Sequence, residues 1–247
     1  VANRNSKGNL AGHPANRQFK HMETLAERVA HVRDRVAAAL AAAGRGPGEA
    51  TLVAVSKNHP AEKVREAIAC GLCTFGENRV QEGLEKMNMV GAAAEWHLIG
   101  PLQSNKVRKA VGRFALLHGI DTFERILQIE RAAASLGGAA RILLEVNISG
   151  ESTKHGFAPV DVASALERSL ELPFVRVDGL MTMAPFDCPG EAARPFFEGL
   201  RKLRDRLREA TGAGLPVLSM GMSNDYEQAI LEGATHVRIG TTIFGSR

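Results

Sequence analysis

Between residues 50 and 240 the chain switches again and again from a short, apolar, β-branched segment to a longer amphipathic one, with brief polar connections and no Pro/Gly/Ser-rich linker. Strand-like segments lie near 52–56, 73–76, 96–99, 115–120, 141–147, 175–180, 216–219 and 236–239, and most intervals carry a helical stretch, at 61–70, 80–89, 103–112, 123–135, 159–170, 191–208 and 225–231. Strands alternating with helices predict a parallel sheet with crossover helices. About eight such units in 247 residues predict one α/β domain, a single (β/α)8 TIM-type barrel. An open doubly wound sheet is the alternative, but no G-x-G-x-x-G follows an early strand, which weakens a dinucleotide-binding reading. An extra N-terminal helix is expected from about Met22 to Ala43, stopped by Gly44 and Gly46–Pro47.

The formal net charge of +4 invites a nucleic-acid reading. Residues 1–21 contain Arg4, Lys7, Arg17 and Lys20 and no acid, so they account for the whole excess and leave residues 22–247 neutral. The first 21 residues read as an expression leader ending at a cloning-site-like His21–Met22, or as a disordered arm; the barrel is expected over 22–247. No apolar run approaches the ~18 residues of a membrane span and no signal-peptide pattern opens the chain. The expectation is a cytoplasmic monomer with neither nucleic-acid nor membrane partner. Cys70 and Cys73 have C-x-x-C spacing, but Cys70 ends a helical stretch and Cys73 begins a strand, unlike a redox site, and no partner ligands for zinc stand at suitable spacing. A structural role is expected for them, and no metal.

Active sites of such barrels gather at the C-terminal ends of the strands. There the sequence places Ser56–Lys57–Asn58, Gly76–Glu77–Asn78, His97 within Trp96–Pro101, Asn147 with Lys154 in the loop beyond, Ser219–Asn224, and Arg238–Thr242. Alternation in 142–147 turns Ile142, Leu144 and Val146 toward outer helices and Glu145 and Asn147 inward; in 237–239 it turns Arg238 inward.

The loops after the last two strands of this fold often bind phosphate. Ser223 or Asn224 is expected to cap a helix beginning at Asp225, with Glu227 completing a capping box; the backbone of Gly240 and Thr241 adds to an anion cradle. Ser and Asn before a helix also serve as plain caps. Lys57 ends the apolar run Leu52–Val55, where desolvation disfavours its ammonium and favours an imine-forming amine, although strand-end lysines are commonly just solvated. An aldehyde cofactor with a phosphate tail satisfies both features, and pyridoxal 5′-phosphate (PLP) is such a molecule. Arg238, always charged and donor-only, would leave a pyridine nitrogen unprotonated and carbanion stabilisation weak. Its alternative is a pair with Glu145.

The stretches 52–57 (LVAVSK), 75–78 (FGEN), 95–106 (EWHLIGPLQSNK), 146–149 (VNIS), 179–181 (GLM), 219–225 (SMGMSND) and 237–245 (VRIGTTIFG) resemble the YggS/PROSC family of pyridoxal phosphate homeostasis proteins. The resemblance implies an alanine racemase N-terminal-domain-like barrel with Lys57 as the PLP lysine, Arg238 toward the pyridine nitrogen, and Ser223, Gly240 and Thr241 at the phosphate. It also implies Asn78, His97 and Ser219 lining the pocket, and Lys154 as a loop lysine associated with PLP handling. Arg79 departs from the family's frequent tyrosine at that position.

The implied function is to hold PLP as a Schiff base, supply it to apo-enzymes and serve vitamin B6 homeostasis without evident catalysis. The runner-up is a PLP-dependent amino-acid racemase, which needs acid or base groups on both faces of the substrate carbon; the one tyrosine, Tyr226, gives no obvious second base, although His97 or Lys154 could serve. A third reading is a sugar-phosphate barrel with an aldolase-type Lys57.

Overall fold

A computed structural model describes residues 24–151 and 154–245. The expected leader at 1–21 and the helix start at Met22 lie outside the described residues. Eight parallel strands close into a barrel in sequence order: β1 Thr51–Val55, β2 Thr74–Glu77, β3 Glu95–Pro101, β4 Leu116–Ile120, β5 Ala140–Glu145, β6 Val175–Met181, β7 Val217–Ser219 and β8 His236–Ile239. Ala54 pairs with Ile239 where β1 meets β8. The helices are α1 Leu25–Ala42, α2 Ala61–Ala69, α3 Val80–Val90, α4 Val107–Ala110, α5 Phe123–Leu136, α6 Val162–Leu170, α7 Arg194–Thr211, α8 Tyr226–Leu231 and α9 Thr241–Phe244. The single barrel expected from the alternation is the fold.

Strands covered on both faces read as continuous apolar runs, and their alternation sorts the side chains. Ile142, Leu144 and Val146 join the main core between sheet and helices, whereas Leu143 packs with Leu116, Met181 and Val217 in a separate cluster. One residue from each of β4 to β7 thus fills part of the barrel interior. Glu145 is buried, as expected of an inward residue. Asn147 instead shapes the loop after β5, where its Oδ1 accepts from Ser149 Oγ and from the Gly150 amide, each at 3.0 Å.

α1 starts where Thr24 and Glu27 form a capping box. Leu25, Val29, Val32, Val36 and Leu40, spaced three to four apart, bury one stripe. Arg28 Nε donates to the Ile243 carbonyl at 2.6 Å and Arg45 Nη1 to that of Ala234 at 2.9 Å, so α1 and the turn that follows it are tied to the segments around β8. Residues 103–112 are not one helix. Ser104–Lys106 forms a 3-10 turn and α4 stops at Ala110, before Gly112 takes a left-handed φ of +76°. α6 begins only at Val162: Phe157 bridges to Val146, and residues 159–161 form a turn before the helix starts. α9 lies in the final loop, where the apolar pattern gave no helical signal.

Candidate functional site

A cavity of about 400 Å³ opens at the C-terminal ends of the strands and is lined by Lys57, Asn78, Ser223, Arg238, Gly240 and Thr241, together with Glu145, Met183, Phe186 and Asp225 among others. A larger cavity of about 570 Å³ lies between α1 and the starts of β1 and β2; it gathers none of the strand-end residues and is lined mainly by apolar groups such as Val36, Leu40, Leu52 and Leu72. The chemistry converges on the first.

Lys57 follows β1 in a turn held from several sides. The Ser56 amide donates to the Gly76 carbonyl at 3.2 Å, and the Ser56 hydroxyl to Glu77 Oε1 at 2.6 Å. Asn58 adopts a left-handed φ of +62°, which asparagine tolerates better than most residues, and its amide donates to Glu82 Oε1 at 2.5 Å. The buried Lys86 unites these contacts, with Nζ 2.7 Å from each of the Ser56 carbonyl, Glu77 Oε1 and Glu82 Oε1. Burial raises the pKa of Glu77, opposed by hydrogen bonds from Lys86 and Ser56. Glu82 is lowered, because bonds from Lys86 and the Asn58 amide outweigh its burial. The two carboxylates and the ammonium therefore clamp the backbone on both sides of Lys57.

Arg238 points into the barrel beneath the cavity and is buried. Its Nη1 donates to Ser219 Oγ at 2.6 Å and its Nη2 to the Thr182 carbonyl at 3.0 Å. Among the described residues no carboxylate is within ion-pair distance, so the alternative of a direct pair with Glu145 is not what forms. Burial lowers its pKa to about 10, partly offset by the charges of Glu145 and Asp225. It remains a guanidinium at neutral pH. Below it the barrel carries His118, His97 and His236, with ring centroids 5.0 Å apart for His97 and His118 and 5.8 Å for His97 and His236.

The loop between β7 and α8 needs Gly221, whose φ is +90°; a Cβ there would lie 2.6 Å from that of Ala229 and 2.9 Å from the Tyr226 Cα. The expected capping box is absent. α8 starts at Tyr226, and Asp225 at its N-cap turns its Oδ1 back to accept from the Met222 amide at 2.6 Å. Glu227 is taken by Arg35 of α1, with Nη2 at 2.7 and 2.8 Å from its two oxygens. Burial raises the Asp225 carboxyl, against the Met222 bond. The amides of Ser223, Asn224 and Thr241 donate to no protein acceptor among the described residues, which leaves N–H groups on one side of the cavity.

Of the residues singled out from sequence, the structure brings Lys57, Asn78, Ser223, Arg238, Gly240 and Thr241 around one cavity. Ser219 and His97 lie in the barrel interior below Arg238, not in the lining. Lys154 is in the loop after β5, 2.8 Å from Glu151 and also outside the lining, although its neighbour His155 is part of it. Sequence reasoning passed over His118, His236 and Lys86. His236 shares Arg238's period-two face, and a lone histidine inside the apolar run Leu116–Ile120 carries a similar signal. Lys86, four residues after Glu82, looks like an ordinary solvated helix pair.

The residues present suit PLP. A strand-end amine, a cluster of donor amides and a donor-only cation are the groups an aldehyde, a phosphate and an unprotonated pyridine nitrogen call for. A family model described as alanine racemase, N-terminal domain, matches residues 27–247. A pyridoxal phosphate homeostasis protein of Aquifex aeolicus is 46% identical over 222 residues, covering 90% of this chain and 97% of that one. One from Pseudomonas aeruginosa is 42% identical over 227 residues, covering 92% and 97%. PipY of Synechococcus elongatus, solved both without and with PLP bound, is 37% identical, with TM-scores of 0.81 and 0.80 and coverage of 90% of this chain and 100% of that one. An alanine racemase of Clostridium difficile shares the fold at 16% identity, with a TM-score of 0.72 over 92% of this chain and 57% of that one. With the family model and these relatives covering nearly its whole length, the chain belongs to the pyridoxal phosphate homeostasis protein family, on the alanine racemase N-terminal-domain fold.

Proposed function

We propose that this protein binds PLP in the cavity at the mouth of the barrel, holds it as a Schiff base on Lys57, and releases it to PLP-dependent apo-enzymes in the cytoplasm. The observation that carries the reading is the convergence of Lys57, Arg238 and the unsatisfied amides of Ser223, Asn224 and Thr241 on one cavity. The PLP-bound structure of the 37% identical PipY supports the same ligand. When bound, PLP supplies an aldehyde that condenses reversibly with an amine.

The protein's part is to bind and orient. Ser223, Asn224, Gly240 and Thr241 hold the phosphate through backbone and hydroxyl donors. The clamp of Glu77, Glu82 and Lys86 fixes the Lys57 turn, and Arg238, which lines the cavity with donors only, would meet the ring nitrogen. A guanidinium there keeps that nitrogen from holding a proton, so carbanions on the substrate carbon gain little stabilisation. Racemisation is disfavoured further because the single tyrosine, Tyr226, is buried beside Arg35 and lies outside the cavity lining.

The test is spectroscopic. Wild-type protein mixed with PLP is expected to gain a visible band that Lys57→Ala lacks, and to restore activity to a PLP-requiring apo-enzyme. A colourless wild type overturns the cofactor assignment. Amino-acid racemisation faster than that by free PLP overturns the carrier role and favours the racemase.

A further inference from the structure

Five side chains form a continuous hydrogen-bonded line through the barrel. Arg238 Nη1 lies 2.6 Å from Ser219 Oγ, Ser219 Oγ 2.9 Å from His118 Nδ1, His118 Nε2 3.0 Å from His97 Nδ1, and His97 Nε2 2.8 Å from Glu95 Oε1. Arg238, Ser219, His118 and His97 are all buried, while Glu95, the first residue of β3, is about half exposed at the end of the barrel opposite Lys57.

The two ends dictate the direction of every bond between them. Arg238 can only donate, so Ser219 Oγ accepts and its hydroxyl hydrogen is free for His118 Nδ1. At the other end an ionised Glu95 can only accept, so His97 Nε2 carries a proton, and with a singly protonated ring its Nδ1 accepts from His118 Nε2. Both derivations give a neutral His118 protonated at Nε2. We propose that His118, His97 and Glu95 are positioning residues for Arg238, acting through Ser219 along this one-way chain. The chain explains how a buried guanidinium is oriented without a carboxylate beside it to neutralise it.

The surroundings keep His118 neutral. His118 is faced by Ser219 from β7, His97 from β3, and Arg238 and His236 from β8; burial first, and then the cost of placing a charge on it beside His97, Arg238 and His236, hold its pKa well below the usual value. Near the outer end Arg141 of β5 adds positive charge, and the bond from His97 lowers the Glu95 carboxyl. A donor in place of that carboxylate would reverse the line. Ser219 Oγ would then receive N–H groups from both Arg238 and His118, with its own hydrogen left without an acceptor.

The consequence for the site rests on the PLP reading; the chain itself does not. The experiment is 15N NMR of the full-length, histidine-labelled protein, with PLP affinity measured in parallel. In the wild type at neutral pH, His118 is expected to be neutral and protonated at Nε2, and His97 to carry its proton at Nε2 with Nδ1 accepting from His118. Glu95→Lys, at a half-exposed position, is expected to move the His118 proton to Nδ1 and to weaken PLP binding about tenfold, the cost of one charge-assisted hydrogen bond. His118→Phe should give the same loss; should it fail to fold, Glu95→Lys still decides. A wild-type His118 protonated at Nδ1, a tautomer indifferent to Glu95→Lys, or a reversed tautomer with unchanged PLP affinity each overturns the proposal. Wild-type protein that binds no PLP defeats the cofactor reading instead, and the tautomers then decide the chain alone.

Discussion

Lys86 shows how much a single buried charge can determine. Its ammonium meets the Ser56 carbonyl, Glu77 and Glu82 at 2.7 Å each, and Glu77 Oε2 has no hydrogen-bond partner among the described residues. Removing one member of a buried ion pair strands the other, at a cost of about 3–5 kcal/mol. Lys86→Met is therefore expected to lower unfolding stability by that amount in urea titrations and to weaken PLP binding by loosening the Lys57 turn. A variant within about 1 kcal/mol of wild type would remove the clamp from the description. Lys57 and Arg238 were legible in the sequence because each sits at a defined place on a strand, one at its end and one on its inward face. Lys86 was not, since a Glu82 to Lys86 spacing marks a solvated helix face as often as a buried one, and only the packing of α3 over β2 decides which.

At the scale of elements, the loop after β7 is built around a backbone shape that side chains resist. Gly221→Ala would place a Cβ 2.6 Å from that of Ala229 at a φ of +90°, so a loss of about 1–3 kcal/mol is expected together with weaker PLP binding. Thermal unfolding and PLP titration check both. Equal loss of stability with undiminished PLP affinity would dissociate this loop from the phosphate. Thr24→Ala is the contrasting case: it removes the cap of α1, outside the cavity lining, and should cost about 1 kcal/mol while leaving PLP affinity unchanged. The strands were readable from apolar alternation to within a few residues. The capping box at Asn224 and Glu227 was not, because Asp225 took the N-cap position and bonded back to Met222, and Glu227 was drawn to Arg35, distant in sequence.

For the whole molecule, the histidines inside the barrel tie stability to pH. Burial first, then the cost of a charge placed beside His97 and Arg141, lowers His236 from 6.5 to about 4, and His118 is lowered as well. Between those values the unfolded chain binds protons that the folded one refuses, so stability is lost as pH falls through 6.5 toward 4, on the order of 3 kcal/mol from His236. Urea unfolding across that range should show the decline, and His236→Asn should flatten it; an unchanged slope would assign the acid sensitivity to other groups. The barrel holds its chemistry at one end and this polar interior behind it, and the joining residue is Arg238. The mouth itself is tested most directly at Lys57. Protein incubated with PLP, reduced with borohydride, digested and mapped by mass spectrometry should carry the phosphopyridoxyl group on the peptide containing Lys57 and nowhere else, with none in Lys57→Ala. An adduct mapped to Lys154 or another lysine in its place, or no adduct at all, would contradict the assignment of Lys57 as the residue that holds the cofactor.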